Sequence, residues 1–281
     1  MDTRHFTRRQ LMAGGLGVGA AALLAGCSAP EDGVTSEYAD AFSIAHRGGG
    51  RNWPEMTVHA YQQAGKLPGL PAMELSVHRS ADGVLVCHHD FSTRRMTGRD
   101  LEIVKTPWSQ LRTLKVHAKE TLDPEQPSRP IARIEEVLEV WPKDMTLWVE
   151  PKANEAVDPL FALLSKDPDR RVVWKRPINA PGFQKAKLEG WGTFGYVFDG
   201  DRQTRYLDQM VPSKWLDMVG VQVEASDQRI TEVVTKAGTY GKETVVWAVN
   251  TIAQRDRALK LGCRGLMTSN IVELLDAPMP D

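Results

Sequence analysis

Eight short apolar segments, separated by stretches with helical periodicity, constrain the fold of this chain more than any other feature of its sequence. The candidate strands are Phe42–Ala45, Ala72–Arg79, Thr146–Glu150, Val172–Lys175, Thr193–Val197, Met218–Val223, Thr244–Val249 and Gly265–Thr268. Between two of them, Ile134, Val137 and Leu138 follow the spacing of one helix face. Alternation of this kind is typical of repeated βα units around a parallel sheet. Eight such units predict an α/β fold, a single (β/α)8 TIM barrel.

Two further segments are expected to decorate the barrel. Asp82-Gly83 favours a tight turn, so Val84–His88 is predicted to fold back on the second strand as a hairpin arm outside the barrel. The stretch from Arg99 to Pro130 has weak periodicity. We expect it to form a loop that covers the mouth of the barrel.

The first 26 residues are interpreted as a targeting segment and are set aside from the fold. Arg8 and Arg9 precede a weakly apolar run and resemble a twin-arginine export signal. The run ends in Leu24-Ala25-Gly26-Cys27, which resembles a bacterial lipobox, whose cysteine is lipidated. We therefore expect residues 1–26 to be a signal peptide and Cys27 to anchor the exported chain to the outer face of the cytoplasmic membrane. An ordinary secretion signal or a single anchoring helix is the alternative.

The remainder of the chain suits one globular domain. Removal of residues 1–26 from the 281 residues leaves 255, and a (β/α)8 barrel needs roughly 250. Residues 27–41 are small and acidic and are expected to be a tether, with the barrel over 42–281. The 255 residues carry 32 basic and 35 acidic side chains, so no basic excess points to nucleic acid. Cys87 and Cys263 lie in apolar or small-residue stretches and are expected to be buried free thiols.

Reactive side chains cluster at the C-terminal ends of the candidate strands, where barrel enzymes hold their active sites. They are His46, Arg47, Glu74, His89, Glu150 and Lys152. Residues two apart on a strand share a face, so Glu150 and Lys152 are expected to point into the same mouth. Two histidines, two carboxylates and two cations would therefore converge there.

These residue types suit the cleavage of a phosphodiester, an anion that resists attack. Arg47 offers a planar donor fork to the non-bridging oxygens, and Lys152 adds a second positive charge. Glu74 and Glu150 are hard oxygen ligands for Ca²⁺ or Mg²⁺, which would polarise the phosphoryl group. One histidine would accept a proton from the attacking oxygen while the other donates one to the leaving group.

Several short motifs occur in a fixed order along the chain. They are Ile44-Ala45-His46-Arg47-Gly48, Pro54-Glu55-Met56-Thr57, Met73-Glu74-Leu75-Ser76-Val77, Val86-Cys87-His88-His89-Asp90, Ile134-Glu135-Glu136-Val137-Leu138, Trp148-Val149-Glu150-Pro151-Lys152, Val246-Trp247-Ala248-Val249-Asn250 and the closing segment 262–269. In this order and at these spacings they resemble the glycerophosphodiester phosphodiesterase family. The resemblance is dense before Lys152 and thin between Ala153 and Glu243.

The resemblance implies a barrel enzyme that hydrolyses glycerophosphodiesters to glycerol phosphate and an alcohol. His46 and His89 match the family's acid and base. In the family's usual route a glycerol hydroxyl attacks the phosphorus, and the resulting cyclic phosphate is then hydrolysed. Two other functions stay open. They are a non-catalytic lipoprotein that binds phosphorylated glycerol polymers, and a phospholipase D-type enzyme acting on intact lipids.

The resemblance also implies one divalent cation, for which Glu74 and Glu150 are the expected ligands. Glu55 either caps the first helix or faces the site, where it is a further candidate metal ligand. Ser76 stands where the family has an aspartate ligand, so we expect a looser metal site. A water molecule held by Ser76, or else Glu55, or else His78 on the same strand face, would fill the gap that Ser76 leaves.

Three further positions carry expectations of their own. Trp247, at the end of a candidate strand, either lines the substrate pocket beside Arg47 and Lys152 or packs in the core. Ser269 replaces the aspartate of the family's closing motif and is interpreted as mostly structural. His88 alternates with its neighbour in the hairpin arm and is also expected to be structural.

Overall fold

A computed structural model describes residues 41–198 and 201–280, with the side chains of 201–204 left out. The predicted signal peptide, the lipidation site Cys27 and the tether up to residue 40 lie outside the described residues. Across the part that is described, no helix combines the length and apolar character needed to cross a bilayer.

Eight parallel strands close into a barrel, as the sequence predicted. In chain order the strands are β1 (Phe42–Ala45), β2 (Ala72–Arg79), β3 (Leu85–Cys87), β4 (Lys115–Val116), β5 (Arg129–Pro130), β6 (Thr146–Pro151), β7 (Val172–Pro177), β8 (Gly192–Tyr196), β9 (Met218–Gln222), β10 (Glu243–Trp247) and β11 (Gly265–Thr268). The barrel order is β1-β2-β6-β7-β8-β9-β10-β11, and β11 pairs with β1. The predicted bounds of the eight barrel strands agree with the observed ones to within two residues.

Helices connect the strands on the outside of the barrel. They are α1 (Val58–Ala64), α2 (Arg94–Thr97), α3 (Trp108–Leu111), α4 (Ile134–Val140), α5 (Val157–Leu164), α6 (Phe183–Leu188), α7 (Asp201–Met210), α8 (Asp227–Thr239), α9 (Ile252–Lys260) and α10 (Ile271–Leu274). Several begin at a hydroxyl side chain that accepts a backbone N–H, such as Thr57 before α1 and Ser226 before α8.

The barrel interior has an apolar floor below its mouth. Inward-pointing side chains alternate along each strand, and Ile44, Trp148, Phe194 and Met267 pack together inside. The rings of Trp148 and Phe194 lie 5.1 Å apart. Because this layer fills the interior, the next inward positions toward the C-terminal strand ends are the ones that can face a substrate.

The hairpin arm and the long loop beside it form an annex to the barrel. β3 pairs antiparallel with β2, from Val77 opposite Cys87 to Arg79 opposite Leu85, which confirms the predicted hairpin. The stretch 99–130 has more structure than predicted, including α3 and the β4–β5 ladder, and it packs on a small apolar core of its own. This stretch is bonded to the turn after β1, where the backbone N–H of Leu122 donates to the carbonyl of Arg51 at 2.7 Å.

Cys87 and Cys263 are both buried and free, which confirms the sequence prediction. Burial raises the pKa of the Cys263 thiol to about 12, and burial also raises the pKa of Cys87. Both groups therefore stay protonated near neutral pH and act as small apolar side chains.

Candidate active site

The first strand ends in a tight turn that brings His46 and Arg47 to the mouth. His46–Gly48 forms a 3-10 turn in which Arg47 has φ 56° and Gly48 has φ 74°. Positive φ favours glycine, and Arg47 is held there because its N–H donates to Glu74 Oε2 at 3.0 Å. A Cβ on Gly48 would lie 3.1 Å from the ring of Tyr61, so this turn also has no room for a larger residue.

His46 is bonded to a residue from the opposite end of the chain. Its Nδ1 lies 2.9 Å from Ser269 Oγ, just after β11. Ser269 therefore contacts a predicted catalytic residue, which corrects its interpretation as mostly structural. Burial, with the neighbouring charges of Arg47 and Lys175, holds the pKa of His46 well below its ordinary value. His46 is thus a neutral imidazole near neutral pH.

His89 has a charged partner instead. Its Nδ1 lies 2.8 Å from Asp90 Oδ1, and Asp90 Oδ2 accepts a hydrogen bond of 2.6 Å from Arg95 Nε. Burial opposes ionisation of Asp90, but the hydrogen bonds from His89 and Arg95 lower its pKa. An ionised Asp90 fixes the proton of His89 on Nδ1. The other ring nitrogen, Nε2, is then unprotonated and lies 3.4 Å from Lys152 Nζ. His88, as expected, is buried and bonds only locally, to the carbonyl of Ser92.

Lys175 lies between the two buried carboxylates at the centre of the mouth. Its Nζ donates to Glu74 Oε1 and to Glu150 Oε2, each at 2.7 Å. Glu74, Glu150 and Lys175 are 0%, 2% and 5% exposed. Burial lowers the pKa of Lys175, but Glu150 and Glu74 more than offset it and raise that pKa above its ordinary value. The ammonium is therefore charged.

The outer oxygens of the same carboxylates hold groups that face the mouth. Glu150 Oε1 accepts from Tyr196 Oη at 2.7 Å and from Lys152 Nζ at 3.1 Å. Burial would raise the pKa of Glu150, yet Lys175 and Lys152 lower it strongly, so it is ionised. Ser76 Oγ lies farther away, 3.4 Å from Glu74 Oε1 and 3.5 Å from Glu150 Oε2.

The predicted metal site is not formed by these residues. Across the described part of the chain, no group of three or more His, Cys, Asp or Glu is arranged to hold an ion. Mg²⁺ and Ca²⁺ sit about 2.0–2.6 Å from their carboxylate oxygens, and the Lys175 ammonium occupies that space between Glu74 and Glu150. The donor set in this arrangement therefore does not fit a divalent ion, in contrast to the expectation for Glu74 and Glu150.

Of the two alternatives predicted for Glu55, the structure shows the one that faces the site and not the helix cap. Thr57 caps α1, while Glu55 contacts Arg47 Nη1 at 3.1 Å and Arg95 Nη2 at 2.5 Å. Burial would raise the pKa of Glu55, but the two guanidinium groups lower it. Glu55 is thus an anion that orients Arg47 and is not a ligand beside Glu74.

Trp247 belongs to an aromatic wall beside the charged cluster. Its ring lies 5.2 Å from Tyr196 and 6.1 Å from Phe198, edge to face in both cases. Trp247 is half-buried, and Phe198 is 44% exposed. The two predicted alternatives for Trp247 are therefore both realised, since it packs and also lines the mouth.

Sequence reasoning missed Lys175 and the roles of Arg95 and Tyr196. Lys175 ends the apolar run Val172–Lys175, and a charged residue at the C-terminal end of a barrel strand faces the mouth. That signal was available, although the identity of its partners was not. Arg95 donates to both Glu55 and Asp90. It therefore connects the carboxylate that holds Arg47 with the carboxylate that holds His89.

Comparison with known proteins agrees with this architecture. Residues 46–167 match the model of the glycerophosphoryl diester phosphodiesterase family. This chain resembles the family over that region, which is less than half of its length. It is 33% identical to glycerophosphodiester phosphodiesterase 1 of Bos taurus over 121 residues, which are 42% of this chain and 36% of the bovine protein. The matched region thus spans about a third of the length of that curated relative.

Solved structures of relatives share the fold over most of the chain. A glycerophosphodiester phosphodiesterase from Thermotoga maritima superposes with a TM-score of 0.67 at 21% identity, covering 84% of this chain and 97% of the other. A phosphodiesterase from Oleispira antarctica, solved in complex with sn-glycerol-3-phosphate, gives 0.65 at 20% identity, covering 83% and 95%. At these identities the likeness bears on the fold alone.

Proposed function

We propose that the chain hydrolyses glycerophosphodiesters, releasing glycerol phosphate and an alcohol. The observation that carries the proposal is the juxtaposition of His89 Nε2 and Lys152 Nζ, 3.4 Å apart at the mouth. A phosphate oxygen held by Lys152 would place its ester oxygen within reach of His89. The match of residues 46–167 to the family, and the product bound in the Oleispira antarctica phosphodiesterase, support this choice of substrate.

Arg47 and Lys152 are the groups proposed to hold the phosphate. Their side chains are 17% and 13% exposed, so both can reach a ligand while most of their surface is buried. Glu55 orients the guanidinium, and Glu150 orients the ammonium. Fixed cations of this kind stabilise the negative charge that develops on the phosphoryl oxygens.

The environments of the two histidines suggest which is base and which is acid. His46 is neutral and has an uncharged partner, Ser269, so it accepts the proton of the attacking glycerol hydroxyl. Burial lowers the pKa of His89, as do the charges of Arg47 and Lys152, while its hydrogen bond to Asp90 opposes that shift. A bound phosphate adds a second opposing charge and favours the form of His89 that is protonated on Nε2. His89 therefore donates its Nε2 proton to the alcohol as the phosphorus–oxygen bond breaks.

The second half of the reaction reverses these roles. The first half leaves a cyclic phosphate, a protonated His46 and a neutral His89. His89 then takes a proton from water as the water oxygen bonds to phosphorus. His46 returns its proton to the ring oxygen that leaves, which yields glycerol phosphate and restores both histidines. No step passes through a divalent ion, because the residues at Glu74 and Glu150 do not fit one.

The test is an assay of the purified full-length chain on glycerophosphocholine, glycerophosphoethanolamine and glycerophosphoglycerol, with glycerol phosphate as the readout. The wild type should turn over at least one of them. His46→Ala and His89→Ala should each lose roughly 10²–10⁴-fold in turnover, with binding changed far less. A wild type that binds a diester without cleaving it would instead support the non-catalytic binding lipoprotein.

A second candidate, cleavage of intact lipids by a phospholipase D-type enzyme, is favoured by apolar side chains exposed near the mouth. Phe91, Leu122 and Phe198 are 60%, 56% and 44% exposed. Apolar side chains grouped beside a site can accommodate an acyl chain. Adding lysophosphatidylcholine to the panel, with choline release as the readout for it and for glycerophosphocholine, separates the two. A higher kcat/KM for lysophosphatidylcholine than for glycerophosphocholine would favour the lipid enzyme.

We further propose that the chain is exported and anchored by lipid at Cys27. The proposal is supported by the paired arginines and by the Leu-Ala-Gly-Cys sequence. An anchored enzyme of this kind would act on diesters outside the cytoplasm.

A further inference from the structure

A lysine side chain stands where two buried carboxylates face each other. Lys175 reaches this position from the end of β7, next to Glu150 on β6 and across from Glu74 on β2. Both N···O distances are 2.7 Å, the length of a strong charge-assisted hydrogen bond. The ammonium fills the space through which an ion would have to bridge the same two oxygens.

The charges of this cluster balance without a metal. Glu74 and Glu150 supply two negative charges, and Lys175 and Lys152 supply two positive ones. A divalent ion added to this group would leave two uncompensated positive charges in a buried site, which is costly. Ser76 adds only a neutral hydroxyl, and the Glu55 carboxylate is already paired with Arg47 and Arg95, so neither residue offsets such an ion.

The lysine also connects the two phosphate-binding groups. It holds the inner oxygens of Glu74 and Glu150. The outer oxygens accept from the backbone N–H of Arg47 and from Lys152 Nζ. A change at Lys175 would therefore release both carboxylates and disturb the positions of Arg47 and Lys152.

We propose that Lys175 is the resident cation of this site and that turnover proceeds without a divalent ion. Lys175 acts as a positioning residue that neutralises Glu74 and Glu150, while Arg47 and Lys152 supply the charge that faces the phosphate. The part concerning turnover rests on the proposed function, and the part concerning the cation does not.

The first measurement is Mn²⁺ binding. The full-length chain is dialysed against EDTA and freed of it, Mn²⁺ is added, and binding is read as loss of the electron paramagnetic resonance signal of the free ion. The wild type should bind no Mn²⁺ at this site and should keep its turnover of glycerophosphocholine in EDTA. The Ser76→Asp/Lys175→Ala variant restores a third carboxylate and empties the space. It should bind a single Mn²⁺, lose turnover in EDTA and regain it with Mn²⁺.

Lys175→Met tests the charge at nearly constant side-chain length. It should lower kcat/KM by roughly 10²–10³-fold, the usual cost of losing a preorganised electrostatic contact. Lys105→Met is the matched control, because it removes an exposed lysine paired with Glu102 at 2.7 Å. The control should change neither Mn²⁺ binding nor turnover.

Each outcome bears on the proposal. Tight Mn²⁺ binding by the wild type, with turnover lost in EDTA, would overturn it and leave the proposed hydrolysis intact. Absence of any turnover would defeat the proposed function, and Mn²⁺ binding would still decide whether Lys175 excludes the ion. If Lys175→Met fails to fold, the double variant decides, because a bound ion replaces the missing charge there. A folded double variant that gains no Mn²⁺ site would also overturn the proposal.

Discussion

Replacement of Asp90 by asparagine tests the assignment of His89 as the acid of the first step. Asp90 accepts from His89 Nδ1 at 2.8 Å and from Arg95 Nε at 2.6 Å. An asparagine keeps the shape of the side chain but loses its charge, and a hydrogen bond to a charged group contributes about 1.5–3 kcal/mol. Since 1.36 kcal/mol corresponds to about a factor of ten in rate, kcat should fall by roughly 10–10²-fold.

The pH profile of Asp90→Asn should change in a defined direction. The hydrogen bond that His89 donates to Asp90 raises the pKa of His89 against the effect of burial, so its removal lowers that pKa further. His89 must be protonated to donate, and a lower pKa shrinks its protonated fraction at any given pH. The optimum of the first step should therefore move to lower pH.

Comparison of two leaving groups provides the decisive assay. Glycerophosphocholine releases a poor leaving group that needs an acid, whereas a p-nitrophenyl ester of glycerol phosphate releases a good one that does not. Asp90→Asn and His89→Ala should lose much less on the nitrophenyl ester, and His46→Ala should lose equally on both. Asp100→Asn, at an exposed carboxylate 3.6 Å from Arg94, is the matched control. Equal losses on both substrates for Asp90→Asn, or an optimum moved to higher pH, would refute the assignment.

Three further outcomes follow from contacts at the site and from the N-terminal sequence. Arg47→Lys keeps the charge but loses the planar fork bound to Glu55, so kcat/KM should drop by tenfold or more, which corresponds to about 1.4 kcal/mol. Unchanged kinetics would mean that the guanidinium does not touch the phosphate. Tyr196→Phe removes the hydroxyl that donates to Glu150 at 2.7 Å. Urea titration should show a loss of about 1–3 kcal/mol in the free energy of unfolding. An unchanged midpoint of the urea transition would contradict this prediction. Cys27→Ala should abolish incorporation of labelled fatty acid while Cys263→Ala retains it, and equal labelling would argue against a lipoprotein.

The barrel could be predicted because its signals are local. Each strand is a short apolar run and each helix has its own periodicity, so the bounds of segments such as Ala72–Arg79 follow from neighbouring residues. The turn at Asp82-Gly83 is local in the same sense. Most of the candidate site residues were also found locally, since they end these strands.

The partners of those residues could not be predicted, because they depend on how the barrel closes. Lys175 is separated from Glu74 by 101 positions, and their contact follows from the register of β2, β6 and β7. The motif containing Glu74 and Ser76 resembles a metal site when taken alone. The lysine that lies against it comes from a distant strand, so its place between Glu74 and Glu150 could not be predicted from the motif.

The closure of β1 on β11 has a consequence for how the working site arises during folding. His46 and Ser269 are 223 positions apart, so a chain still being synthesised lacks the hydroxyl that orients this imidazole until Ser269 has emerged. Pairings between strands so far apart in sequence form slowly, because the intervening chain must first lose its freedom. In a refolding experiment, native helix content would therefore return before turnover does. The delay between the two signals would measure the time taken to join the first strand to the last.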